Sequence, residues 1–277
     1  MRRRERRTDQ TQEITMKHTA PLKLAFALAC AIGSGAALAE AQTLRFGLEA
    51  QYPPFESKAP NGDLQGFDVD VGNAVCQTAK LSCKWIETSF DGLIPALQGR
   101  KFDAINSAMN ATEQRRQAID FTTIIYRVPT QLIARTGSGL LPTPESLKGK
   151  RVGVLQASIQ ETFAKAHWEP AGVTVVPYQD QNQAYADLVS GRLDATLVLA
   201  PSGQRGFLSR PDGKGFSFVG QPVRDDKILG NGIAFGLRKG DSALKAKLDA
   251  AIDKLKADGT VKTLGLKYFG DIDISAK

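Results

Sequence analysis

The side chains in this 277-residue sequence that could do chemistry gather in four short stretches. Glu49-Ala50-Gln51-Tyr52-Pro53-Pro54-Phe55 puts a carboxylate and aromatic rings directly after the apolar run Leu44–Leu48. Phe90-Asp91-Gly92 pairs a ring with an acid again. Ser107–Arg115 (SAMNATEQR) brings polar backbone and an arginine together, and Leu155-Gln156-Ala157-Ser158 ends on a serine suited to cap a helix whose N-terminus favours an anion. Each stretch follows a strand-like segment, and open α/β sheets bind ligands at the C-terminal ends of their strands. Four such junctions in one chain point to a small polar ligand held between two units.

Catalytic templates are missing. The sequence has no Walker A loop, no H-E-x-x-H and no G-x-S-x-G. Gly230-Asn231-Gly232 begins like a dinucleotide fingerprint, but Phe235 stands where its third glycine belongs, so a turn or hinge is the better reading. Asn110-Ala111-Thr112 matches a glycosylation sequon by chance. Beyond residue 39 only one histidine, His167, is present, with no second catalytic partner and no ligand cluster. Neither a metal nor a cofactor is expected, and no catalytic residue is assigned.

The elements that must position these residues alternate. Leu44–Leu48 reads as a strand. Asp68 can N-cap a helix through Ala79. Strands at Lys84–Glu87 and Asp103–Ser107 flank the helix Gly92–Leu97, and Thr112 can cap a helix through Ile119. A second series follows Pro142 and Pro144. It runs strand Arg151–Leu155, helix Ser158–Ala166, strand Val173–Tyr178, helix Gln181–Ser190 and strand Ala195–Leu199. Ser202–Gly215, rich in Gly, Pro, Ser and charge, reads as a loop. Ile233–Leu237 is strand-like, and Asp241–Ala257 is a helix with Leu244, Leu248, Ala251, Ile252 and Leu255 on its apolar face. The alternation predicts an α/β architecture with largely parallel sheets in two lobes. Periodicity leaves open which lobe takes the final helix.

The formal charge of +7 suggests a nucleic acid or an anionic membrane as partner until it is located. Residues 1–39 carry seven bases and three acids, which leaves a net +3 on the rest and no case for nucleic acid. Leu24–Ala39 is apolar, too short to span a bilayer, preceded by Lys17 and Lys23, and closed by Ala37-Leu38-Ala39. Residues 1–39 therefore read as a secretory signal peptide cleaved near Ala39 or Ala41, the alternative being an uncleaved amphipathic anchor. Residues 1–15 form either a long n-region or an over-extended start before Met16. The Arg6-Arg7 pair lacks the apolar residues that follow a twin-arginine signal, and Cys30 leaves a lipid anchor open. After export, Cys76 and Cys83 read as one structural disulfide, the alternative being two buried thiols.

A set of landmarks makes the chain recognisable. They are Tyr52-Pro53-Pro54-Phe55, Gly66-Phe67-Asp68-Val69-Asp70, Phe90-Asp91-Gly92-Leu93-Ile94-Pro95-Ala96-Leu97, Thr112-x-x-Arg115, Gly149-Lys150-Arg151-Val152-Gly153-Val154, Gly191-Arg192-Leu193-Asp194-Ala195 and Asp258-Gly259-Thr260. Over residues 43–271 the chain resembles the periplasmic polar amino-acid-binding proteins of ABC importers, most closely the lysine/arginine/ornithine–histidine group and its opine-binding relatives. The resemblance implies a type II periplasmic binding protein fold: two lobes, a two-strand hinge and a ligand cleft between them. Lobe one would comprise residues 42–130 and 228–277, including the final helix, and lobe two residues 131–227. The cysteine spacing resembles that subgroup's disulfide.

The same resemblance implies roles. Arg115 would clamp the ligand's α-carboxylate in a bidentate pair, with backbone N–H from the Ser158 helix. Tyr52 and Phe90 would wall a cationic or planar side chain. Glu49, near Ser107 and Gln160, would face the distal cation. Ala108, Met109, Asn110, Leu155, Ile159 and Leu199 complete the expected ligand-binding set. The implied partners are a cationic amino acid or related carboxylate and an inner-membrane permease, with the protein a periplasmic monomer.

One position departs from the pattern. Most relatives carry an aspartate for the α-ammonium five residues past the Asp of G-R-L-D-A, and here that residue is Leu199. Asn110 and Ile159 replace a usual Ser and Thr. An arginine/lysine/ornithine binder therefore stands beside an alternative, an opine or guanidino acid without a free α-ammonium. From another class come the cyclohexadienyl dehydratases of this fold, for which Glu49 is the only obvious poised acid. A sensor lobe presented to a membrane receptor would need a separate partner.

Overall fold

Why the chain builds two five-stranded sheets is visible in its alternation of short apolar runs and capped helices. The computed structural model describes residues 42–272 and Ile274. Residues 1–39, read above as a signal peptide and including Cys30, lie outside them. No helix among the described residues is long and apolar enough to cross a membrane.

The chain opens with β1 (Thr43–Leu48), then a small antiparallel sheet of β2 (Gln51–Tyr52), β3 (Glu56–Lys58) and β4 (Leu64–Gln65). Then come α1 (Phe67–Thr78), β5 (Ser82–Glu87), α2 (Leu93–Gln98), β6 (Ala104–Ile105), α3 (Glu113–Ala118) and β7 (Asp120–Phe121). A second run holds β8 (Thr130–Arg135), α4 (Pro144–Leu147), β9 (Arg151–Leu155), α5 (Ile159–His167), β10 (Thr174–Tyr178), α6 (Gln181–Val189) and β11 (Ala195–Leu199). It ends with α7 (Ala200–Ser202), β12 (Phe216–Val223) and α8 (Asp226–Leu229). The chain then returns through β13 (Gly236–Leu237) to α9 (Ser242–Ala257) and α10 (Thr260–Phe269).

The first sheet has the order β5-β1-β6-β13-β7 and the second β10-β9-β11-β8-β12. The first thus joins chain from before and after the second, and α9 and α10 pack on α1 at its side. The two crossing segments run side by side: Tyr126 bridges Ile233, and Thr130 pairs with Val223. Phe46, stacked on Trp85 at 5.0 Å and edge-on to Phe235 at 4.9 Å, fills the core of the first sheet. Val152, Val154, Leu197 and Trp168 fill that of the second. This is the type II two-lobed arrangement.

Several local expectations change. Sheets are mixed, because β8 and β12 in the second and β13 in the first pair antiparallel. The strand at Asp103–Ser107 shortens to β6, and that at Ile233–Leu237 to β13 plus the Ile233 bridges. Asp68 does not cap α1. Gly66 does, at φ 136°, where an added Cβ would lie 2.2 Å from the Phe55 carbonyl oxygen, and Asp68 is buried in the first turn with long-range partners instead. Gly203–Leu208 winds into a π-turn and Pro211–Gly213 into a 3-10 turn, so Ser202–Gly215 is not an open loop. Gly213 has no room for a side chain, since a Cβ would meet the Phe207 carbonyl oxygen at 2.3 Å. Cys76 and Cys83 form a disulfide that ties the end of α1 to β5.

Candidate functional site

Ten of the expected residues line one small pocket between the two sheets: Tyr52, Phe90, Ala108, Asn110, Arg115, Leu155, Ser158, Ile159, Gln160 and Leu199. Glu49 lines an adjoining, larger groove, Ser107 lies behind Glu49, and Met109 is buried in the apolar cluster with Phe90 and Leu93. The pocket walls come from both lobes. Arg115 Nη2 donates to the Ala157 carbonyl oxygen (3.0 Å), Gln156 Nε2 to Asp91 Oδ2 (3.3 Å), Asn182 Nδ2 to the Gln51 carbonyl oxygen (3.4 Å) and the Leu199 N–H to Tyr52 Oη (3.3 Å).

At one end stands Arg115. Thr112 accepts the Arg115 N–H (3.2 Å) and so starts α3 where the guanidinium reaches the pocket. Nη1 donates to the Asn110 carbonyl oxygen (3.0 Å), and Cζ sits 5.4 Å from the Phe90 ring centroid. Removal from water pushes its pKa down to about 10. Among the described residues no carboxylate pairs with it, and none of the other nine lining residues is charged. Its donors are oriented and lack an anion. Opposite, Ser158 caps α5 by accepting the Glu161 N–H (3.1 Å), and the first-turn N–H groups of a helix have no intrahelical acceptor.

At the other end stands Glu49, immediately after β1. It is 3% exposed, and neither carboxylate oxygen has a hydrogen-bond partner. Burial, reinforced by Asp180 and Asp91, pushes its pKa up to about 8. A buried carboxylate without a partner is costly until a cation reaches it. Its backbone N–H donates to Ser107 Oγ (3.0 Å), which donates to Glu56 Oε1 (2.8 Å).

Behind this wall lies a pair that the sequence reading did not assign. Glu56 and Asp68 are both buried, and desolvation raises both carboxyls. Asp68 accepts from the Ala108 N–H (2.6 Å) and Tyr126 Oη (2.7 Å), and Asn106 Nδ2 donates to its carbonyl oxygen (2.7 Å). These bonds hold Ala108 at φ 44°, a left-handed conformation that orients the pocket wall. Asp68 stood in a landmark motif and Asp180 immediately before a predicted helix. Nothing local signals that Asp68 supports the pocket wall through Ala108 or that Asp180 lines the groove with Glu49.

Between the two ends the walls are apolar or neutral. Leu199 and Ile159 are buried, Tyr52 stacks on Phe55 at 5.6 Å, and Gln160 Nε2 donates to Thr130 Oγ1 (3.2 Å). No cluster of His, Cys, Asp and Glu among the described residues is disposed to hold a metal ion. The geometry suits a small molecule with a carboxylate at one end and an organic cation at the other.

Known proteins agree with this shape. Residues 44–271 match the family described as bacterial extracellular solute-binding proteins, family 3. The chain is 46% identical over 248 residues to the L-arginine-binding protein of Pseudomonas aeruginosa, covering 90% of this chain and 96% of that one. It is 45% identical over 248 residues to the lysine/arginine/ornithine-binding periplasmic protein of Escherichia coli, covering 90% and 95%. Among solved structures it is similar to an ancestral arginine-binding protein bound to arginine, with TM-score 0.76 and 32% identity over 82% of this chain and 98% of that one.

Proposed function

This chain belongs to family 3 of the bacterial extracellular solute-binding proteins, and from that membership we propose that it is the solute-binding component of an ABC importer for a cationic amino acid of the arginine, lysine and ornithine class. The observation that carries the reading is the pair of unmatched charges: Arg115 without an anion at one end of the cleft and Glu49 without a cation at the other. A ligand with a carboxylate and a distal ammonium or guanidinium satisfies both.

In this reading Arg115 holds the carboxylate with the first-turn N–H groups of α5, Tyr52 and Phe90 wall the aliphatic stem, and Glu49 receives the distal cation. Residues 42–130 and 228–277 form lobe one and residues 131–227 lobe two, hinged where Tyr126 bridges Ile233 and Thr130 pairs with Val223. The ligand binds lobe one first, and closure brings up α5 and Leu199. The closed monomer docks on an inner-membrane permease after export by the leader at residues 1–39. Calorimetric titration with arginine, lysine and ornithine tests the reading. Saturable one-to-one binding supports it, and no binding of any of the three refutes it.

A specific observation favours a second reading. No carboxylate lines the pocket beside Arg115, and Leu199 and Ile159 close it with carbon. An α-ammonium there would be desolvated without an anion, at a cost of orders of magnitude in affinity. An opine or guanidino acid without a free primary α-ammonium avoids that cost. Titration with octopine and 4-guanidinobutanoate separates the two, and sub-micromolar arginine binding removes the second. Absorbance assay of prephenate turnover tests the dehydratase alternative, in which Glu49 is the acid.

A further inference from the structure

Beyond Glu49 the cleft opens into a polar groove that both lobes line. Gln51, Ser57 and Glu87 come from one side, Gln179, Asp180 and Asn182 from the other. Glu49 sits in its inner wall, 97% removed from solvent with both oxygens unpartnered. Asp180 faces it across the groove from the N-terminus of α6, where it caps the helix by accepting the Gln183 N–H (3.1 Å). Two cations line the same groove. Lys58 is engaged by Glu87 at 2.8 Å, and Arg210 is exposed on the second lobe. Asp91, beside Phe90, is a further carboxylate close enough to act on Glu49, and it accepts from Ser89 Oγ (2.5 Å) and Gln156 Nε2 (3.3 Å). Closing the cleft therefore brings acids of opposite lobes together around a carboxylate that has no counter-ion of its own.

We propose that Asp180 is a specificity-determining residue, which makes closure conditional on a positive charge at the far end of the ligand. Glu49 is fixed in lobe one and reads the ligand in the open state. Asp180 arrives only with lobe two. Without a cation between them the two carboxylates repel, or Glu49 must take up a proton as the lobes close, and either way the closed state is disfavoured. With an ammonium or guanidinium there, the same pair attracts the ligand from both sides. A ligand of the same shape but neutral at that end binds Glu49 poorly and leaves that cost of closure in place. Discrimination by charge is thereby divided between a contact and a conformational step, and rejection of the neutral analogue acts on closure.

The inference rests on the cationic-ligand reading, so its test needs a readout that does not depend on that reading. Asp180→Asn keeps the helix cap, because asparagine and aspartate are equivalent N-caps. Two measurements are made on the full exported chain. The first is interlobe distance by fluorescence transfer between dyes on the two lobes, without added ligand. The second is titration with arginine and with citrulline, its neutral analogue. Asp180→Asn is expected to raise the closed population of the ligand-free protein. It is also expected to reduce the arginine-to-citrulline affinity ratio about tenfold, mostly by strengthening citrulline binding. An unchanged distance distribution with an unchanged ratio overturns the role of Asp180 and leaves the cationic-ligand reading standing. Failure of the parent to bind arginine, lysine or ornithine overturns that reading, and the ligand-free distance measurement then decides the Asp180 proposal alone.

Discussion

Replacing Glu49 with glutamine is the most informative single perturbation of this site. The carboxyl is held at about 8 against an ordinary 4.5, by burial first and by Asp180 and Asp91 after it. That disfavours its ionised form by at most ~5 kcal/mol, and by less once the lobes part and water enters. Because the folded value is raised, the neutral carboxyl's contribution to stability is complete below about 4.5 and is lost as pH rises through about 8. Ligand-free Glu49→Gln should therefore melt like the parent at pH 4 and above it at pH 9. Ligand binding moves the opposite way. A cation ~4 Å from the ionised carboxylate gains roughly 4 kcal/mol at an effective dielectric of ~20, about a thousandfold in affinity. The parent should bind arginine more tightly as pH rises toward 8 and release up to one proton per ligand, seen by calorimetry in buffers of different ionisation enthalpy. Glu49→Gln should lose about two to three orders of magnitude and all of the proton release. A variant that binds arginine within threefold of the parent, with the same pH slope, would refute the assignment of Glu49 to the ligand cation.

Three further expectations follow from the same geometry. Arg115→Ala should cost at least about a hundredfold in affinity for any carboxylate ligand, and Arg115→Lys most of that, because lysine cannot make the bidentate pair. Titration with ligand and with its amide checks this, since the amide should not discriminate parent from variant. Leu199→Asp should lower the melting temperature of the ligand-free protein by burying an unpaired carboxylate. It should also raise arginine affinity about tenfold or more if an α-ammonium points at this position, and weaken arginine further if it does not. Cys76→Ser with Cys83→Ser should lower unfolding free energy by ~2–3 kcal/mol, the loop-closure value for a bridge across a seven-residue separation, read from urea midpoints.

The strongly periodic parts of this fold were legible. β1, β9, β11, α6 and α9 lie within a residue or two of where their apolar spacing puts them, and Thr112 and Ser158 cap the predicted helices. Local signals sufficed because each element's burial pattern is written in its own sequence. The antiparallel strands β8 and β12 were not read, since Thr130–Arg135 and Phe216–Val223 show no clean alternation and are strands only because they pair with each other and with β11. Asp68 looks like a cap in sequence. Its true partners, Ala108 and Tyr126, lie 40 and 58 residues away. Of the pocket residues, Tyr52, Phe90, Ala108, Asn110, Arg115, Leu155 and Ser158 lie in the four strand-end stretches, whereas Ile159, Gln160 and Leu199 came only from the family resemblance. Asp180 and Glu56 were missed because what matters about them is which carboxylates they approach across the fold, and no spacing records that.

The central claim is that the cleft holds a small molecule by a carboxylate at Arg115 and a cation at Glu49. The direct measurement is calorimetric titration of ligand-stripped protein with arginine, with agmatine, which lacks the carboxylate, and with citrulline, which lacks the cation. The account predicts saturable one-to-one binding of arginine and at least about a hundredfold weaker binding of each truncated or neutral analogue. Equal affinity for all three, or binding of none with no response to octopine or 4-guanidinobutanoate either, would contradict it.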